Sequence, residues 1–215
     1  MIALHHQIFG RKKITPSNSK ILDLPLQNNF TDTTGINTMI AGGTSNLPTF
    51  TLEGGEYAAV FNGSQSLKTN ANFNINSDKV SISFWIKTSQ TALSVIVELS
   101  ANFNSNNAFA IFLNNALVNR IEITDSASGY NTVTTATNIN NNMWRHIVLM
   151  IDRSKVGNQQ NSIYVDGVLS YTQSNTYQAD LNGNWKLNPL FIGQRGGSLY
   201  GFNGQIKFVK IFNYP

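Results

Sequence analysis

Cleaving a glycoside takes two carboxyl groups held close together, and acids are scarce here: Asp and Glu together number 11 in 215 residues. Retaining hydrolysis sets its two carboxyls about 5 Å apart, a spacing that alternate residues on one strand face supply. No strand pattern in the chain carries acids at i and i+2. The nearest approaches are Glu53 with Glu56, flanking the Gly-Gly of LEGGEY, and Glu122 with Asp125, near a strand end. Acids from separate strands can still meet in the fold. A Ser, His and Asp set is as poorly supplied. His5 and His6 stand side by side near the N-terminus, and His146 sits in the strand pattern WRHIVLMID, where it reads as a satisfied core or edge histidine. Consecutive residues seldom present a finished metal site, so His5 and His6 read as a solvated pair. The chain has no cysteine, which excludes disulfides, thiolate metal sites and a cysteine nucleophile.

Binding a glycan needs other equipment: an exposed aromatic ring to stack on a sugar face, with amides and hydroxyls around it. Trp185, in LNGNWKLNP, lies between turn residues and is the foremost candidate for such a ring. Tyr200 and Phe202 in RGGSLYGFNG, together with Tyr177 and Tyr130, are candidates to join it. Trp85 and Trp144 fall in strand patterns and are expected in the core.

One further acid invites a catalytic reading. In SIYVDGVLSY, Asp166 and Gly167 stand between two alternating apolar runs. A type I′ turn needs positive φ at both central residues, which Asp and Gly tolerate, so this stretch is expected to be a hairpin with Asp166 in a structural role.

The elements that must carry these residues are strands. Val80, Ile82, Phe84 and Ile86 of KVSISFWIK share one face, and Ser81, Ser83 and Trp85 share the other. In NRIEIT, Ile121 and Ile123 alternate with polar neighbours. IVLMI (147–151) and IKFVKIF (206–212) carry apolar residues in both phases, which predicts strands covered on both sides. No stretch sustains a helical period. A dozen or so short strands separated by Gly- and Asn-rich turns predict an all-β, antiparallel two-sheet sandwich or jelly roll. Residues 1–20, with Arg11, Lys12 and Lys13 followed by TPSNSK, read as a basic N-terminal arm and linker, and residues 21–215 as one domain. The segment from Asn28 to Leu47 suits either a mobile rim loop or a packed interface.

Only 12% of residues are charged, so uncharged polar groups carry the surface; Asn alone outnumbers Asp and Glu together. The net charge of +4 comes mainly from a deficit of acids, which argues against a dense nucleic-acid-binding face. No apolar run approaches a membrane span. The sequence MIALHHQIFGRKK lacks the order of a secretory signal, and a true start at Met1 would imply a protein not exported by the usual route.

The succession SISFWIKT, WRHIVLMID, SIYVDGVL, PLFIGQRGG and FNGQIKFVKIFN resembles the laminin G-like, concanavalin A-like lectin and glucanase jelly-roll superfamily. The likeness covers residues 57–215, with ILDLPL as a further candidate strand. It implies a concanavalin A-like jelly roll in which His146 is a structural member of its strand. Some modules of this kind hold calcium at the sandwich rim, for which Asp125, Asp152 and Asp180 are the candidate ligands here; no other cofactor is implied. The superfamily hosts lectins, glycosidases, adhesion modules and viral structural domains, so the fold leaves function open.

Two readings follow, with a glycoside hydrolase a distant third. In the first, the protein is a non-catalytic component of a larger assembly, such as a phage or viral capsid decoration or fibre protein. Its basic arm docks on another subunit, and it is assembled in the cytoplasm into a virion or other extracellular particle. In the second, it is a free carbohydrate-binding, lectin-like module.

Overall fold

A computed structural model describes residues 20–99, 108–114, 117–124, 133–135, 137–155, 160–170, 172–173, 185 and 187–213. Among these residues there are strands and no helix, so no helix is long and apolar enough to cross a membrane. In chain order the strands are β1 (Lys20–Leu24), β2 (Met39–Ala41), β3 (Thr49–Glu53), β4 (Glu56–Asn62), β5 (Leu67–Thr69), β6 (Lys79–Lys87), β7 (Ser94–Glu98) and β8 (Ala108–Asn114). They continue as β9 (Leu117–Thr124), β10 (Val133–Thr134), β11 (Arg145–Asp152), β12 (Asn161–Val165), β13 (Val168–Leu169), β14 (Thr172–Gln173), β15 (Phe191–Ile192) and β16 (Asn203–Phe212).

The larger sheet runs β13-β12-β11-β6-β16-β4-β3, with β1 also paired to β16. The smaller runs β2-β5-β15-β7-β8-β9, and β10 and β14 form a separate ribbon. The two sheets are antiparallel and form the expected sandwich. Alternation builds its core: Val80, Ile82, Phe84 and Ile86 of β6 and Ile147, Leu149 and Ile151 of β11 are buried together with Ile96, Phe109, Ile111 and Leu113 of the opposing sheet. Each such side chain withdraws apolar surface worth about 1.5–3 kcal/mol.

The two strands read as covered on both sides need correction. In β11, Val148 and Met150 remain half-exposed on the outer face. In β16 the double apolar phase arises from a bulge. Lys207 pairs with Trp85 and Lys210 with Ser83, so β16 places two residues, Phe208 and Val209, opposite the single Phe84. Phe208 takes φ 54° and donates its N–H to the Pro25 carbonyl. The extra residue shifts the alternation, turning Val209 and Ile211 inward and leaving Lys207, Phe208 and Lys210 on the other side.

The hairpin at Asp166 forms as expected, with φ 52° at Asp166 and 81° at Gly167. In the polar segment after β1, Asp32 organises the loop. Its carboxylate accepts the N–H groups of Asp23, Thr34 and Asn37, the Thr34 hydroxyl and the Asn37 amide. Burial acts to raise the Asp32 pKa, but these hydrogen bonds outweigh it and hold the group below the usual aspartate range.

Candidate functional site

The outer face of the larger sheet collects the side chains that the inner face rejects. Three neighbouring strands contribute at one level: Trp85 from β6, His146 directly opposite it on β11, and Lys207 opposite it on β16. The Trp85 and His146 rings stack with centroids 5.0 Å apart and planes 24° from parallel. Ser83 Oγ and His146 Nε2 share a hydrogen bond of 2.9 Å. Ser83, Trp85 and His146, with Phe208 and Lys210 from the bulged strand, line an open depression of about 280 Å³. Burial first, and then the Lys210 charge, hold the His146 imidazole below its ordinary pKa against the pull of Asp166, so the ring is neutral at pH 7.

Beside the depression runs a charged network. Lys207 Nζ lies 4.5 Å from the Trp144 ring centroid and 2.5 Å from Glu56 Oε2, and Lys87 Nζ donates to both oxygens of Glu53 at 2.7 and 2.8 Å. The register pairs Glu53 with Glu56 across the β3–β4 hairpin, as their places flanking the Gly-Gly turn allow. Each is held by its own lysine. Hydrogen bonding from Lys87 above all, assisted by Trp144, keeps Glu53 below the usual carboxylate range, the opposite of what a general acid requires.

The Ser83–His146 pair has the contact of a nucleophile and base but not their surroundings. Asp166 spends its oxygens on the His146 backbone N–H and on Arg145 Nη1 rather than on the ring. Strand β6 is paired on both sides, so its backbone N–H groups are engaged in ladders rather than gathered around an oxyanion.

The aromatic assignments made from sequence change places. Trp185, expected exposed, is 3% accessible: its ring meets Phe109 edge-on at 5.5 Å and lies beneath the Arg153 guanidinium at 4.8 Å. So large an apolar ring gains more in the core than its turn-like neighbours gain from exposing it. Phe202 is fully buried against Phe61. Tyr200 is exposed at 44%, beside Arg195, which sits 5.2 Å from its ring and 5.0 Å from that of Phe112. Conversely, Trp85 and Trp144, expected in the core, are half-exposed. The signal that placed Trp85 outside was its phase, shared with Ser81 and Ser83. Tyr177, Tyr130, Arg11, Lys12 and Lys13 lie outside the described residues, as do Asp125 and Asp180.

Of the calcium candidates, Asp152 faces Lys79 at 3.3 Å and Lys155 at 4.0 Å and accepts hydrogen bonds from Ser154. Cations already compensate its charge, which does not fit a calcium ligand. Among the described residues no group of three or more His, Asp or Glu is placed to hold a metal ion. A second depression, of about 390 Å³, opens at the rim between exposed Asn70, Asn72, Asn74 and Asn76 and the loop residues Ile36 and Asn37. It is rich in amides, but Phe73, the one aromatic residue lining it, is buried.

Residues 61–215 match the family model described as the concanavalin A-like lectin/glucanases superfamily, and the chain belongs to that family. No curated protein matches it in sequence. Its fold is similar to that of domain 4 of AbnA, a GH43 extracellular arabinanase from Geobacillus stearothermophilus solved in complex with arabinotriose. The identity is 15% and the TM-score 0.62, covering 91% of this chain and 92% of that one. It is also similar to the binding domain of Paraclostridial Mosquitocidal Protein 1, at 16% identity and TM-score 0.67, covering 91% of this chain and 49% of that one. Botulinum neurotoxin type C, whose cell entry depends on interaction with two ganglioside molecules, is a third such structure, at 16% identity and TM-score 0.63, with coverages of 91% and 48%. The chain thus spans about half the length of the toxin structures. At these identities the likeness concerns the fold.

Proposed function

We propose that the protein is a non-catalytic carbohydrate-binding module that holds an oligosaccharide on the outer face of its larger sheet. The observation that carries this reading is the Trp85–His146 stack, half-exposed in a shallow depression with the Ser83 hydroxyl and the Phe208 ring. Such a surface presents an apolar plane to the C–H face of a sugar and polar groups to its hydroxyls. The arabinotriose and ganglioside interactions of structurally similar proteins support the class of ligand. The lysine-held state of Glu53 and Glu56 supports binding without hydrolysis.

Screening on a glycan array, followed by titration calorimetry, tests the reading. Trp85→Ala is expected to weaken binding about five- to tenfold, the worth of a lost aromatic stack, while Tyr200→Ala leaves it unchanged. The reverse pattern would move the site to the Arg195 rim and overturn the assignment.

A particle component remains a companion proposal. The low-charge, Asn-rich composition and the basic run at residues 11–13 favour a chain that packs against other subunits, in a virion or comparable particle, while its sandwich faces glycans.

A further inference from the structure

On the outer face around the depression, three basic side chains already have carboxylate partners. Lys87 is held by Glu53 at 2.7 Å, Lys207 by Glu56 at 2.5 Å and Arg145 by Asp166 at 2.8 Å. Lys210 differs. The acid opposite it in register, Asp23 on β1, is engaged by Lys20 at 2.5 Å. Among the described residues no carboxylate lies within ion-pair distance of Lys210, although it lines the depression beside Trp85, His146 and Phe208. The β16 bulge puts it there: strict alternation from Ile206 would have turned Lys210 into the core.

Resting on the glycan reading above, we propose that the ligand is an acidic sugar whose carboxylate is received by Lys210 while its ring stacks on the Trp85–His146 floor. The donor set fits this group. Lys210 offers an ammonium to one carboxylate oxygen. When His146 carries its proton on Nε2 and donates it to Ser83, the Ser83 hydroxyl proton is free for the other. The imidazole is neutral at pH 7, so Lys210 supplies the positive charge within the depression. A neutral sugar would bring no counter-charge to that ammonium, whereas a carboxylate matches it.

The experiment is an array of oligosaccharides in matched pairs, each a uronic- or sialic-acid form and its counterpart with the carboxyl reduced to an alcohol. Affinities of the members that bind are measured for the wild-type chain, Lys210→Gln, Lys210→Arg and Trp85→Ala, and thermal melts check folding. Wild type is expected to favour the acidic member about tenfold, the worth of one charge-assisted hydrogen bond. Lys210→Gln should erase that preference while keeping affinity for the reduced member, Lys210→Arg should retain it, and Trp85→Ala should weaken both members. Pairs that bind equally, or a preference that survives Lys210→Gln, would overturn the inference while leaving the glycan reading standing. Binding by no member of the array would remove both.

Discussion

Asp166 shows how much one side chain can be asked to do. Its backbone sits at φ 52° to turn the β12–β13 hairpin, and its N–H donates to the His146 carbonyl. Its two oxygens then accept the His146 N–H at 2.9 Å and Arg145 Nη1 at 2.8 Å. The turn residue of one hairpin thus fixes the start of β11, and with it the backbone that carries His146. Two substitutions separate these roles. Asp166→Asn keeps the tolerance for positive φ and an acceptor for the backbone N–H, and should cost less than about 1 kcal/mol, the range of an exposed ion pair. Asp166→Ala strains the turn and leaves the N–H without its partner, at a cost of roughly 1–3 kcal/mol. Urea unfolding of the two variants reads the difference, and equal losses would show that the charge on Arg145, not the turn, is what Asp166 contributes.

Among the strands, β16 decides what the outer face presents. Deleting Phe208 removes the extra residue, so Val209 comes directly after Lys207 and faces inward while Lys210 stays outward in strict alternation, and the deletion is expected to keep a cooperative thermal melt. Phe208→Gly keeps the extra residue and relieves a backbone conformation that costs an L-residue about 1–2 kcal/mol, so it should fold with near-native stability. Loss of the cooperative melt in the deletion would show that the bulge itself, held by the Pro25 carbonyl, is needed for the fold. The same strand marks the limit of what can be read from sequence. Strict alternation in KVSISFWIK gave the buried face of β6 correctly, and Asp166-Gly167 gave the hairpin, because both signals are local. IKFVKIF misled because a bulge and a doubly covered strand produce the same apolar pattern, and the choice depends on pairing with β6 and on the Pro25 carbonyl. Trp185 misled for a similar reason: its turn-like neighbours are local, while Phe109 and Arg153, which bury it, are distant in the chain. Trp85 was legible through its serine phase, yet residue type argued for the core, and phase was the better guide.

At the level of the whole molecule, the sandwich joins a sheet with an aromatic and cationic outer face to a second sheet whose β7 and inner β8 residues are buried on both sides. On the proposed reading, recognition on one broad face would leave the remaining surface available to neighbours in an assembly. A chain beginning at Ser19 retains all of β1 and is expected to melt at the temperature of the full chain. If residues 1–20 are a docking arm, light scattering will find defined oligomers for the full chain and a monomer for the shortened one. Equal masses would remove the support for the assembly proposal.

The pairing of β1 with the last strand, Lys20 opposite Phe212, has a practical consequence. The polypeptide enters and leaves the sandwich at nearly one point, so the unit can be spliced into a surface loop of an unrelated host without forcing that loop apart. The same adjacency invites circular permutation: a short linker joining the two ends, with new ends opened at the exposed Gly54-Gly55 turn, would preserve every described strand and leave Trp85, His146 and Lys210 in register.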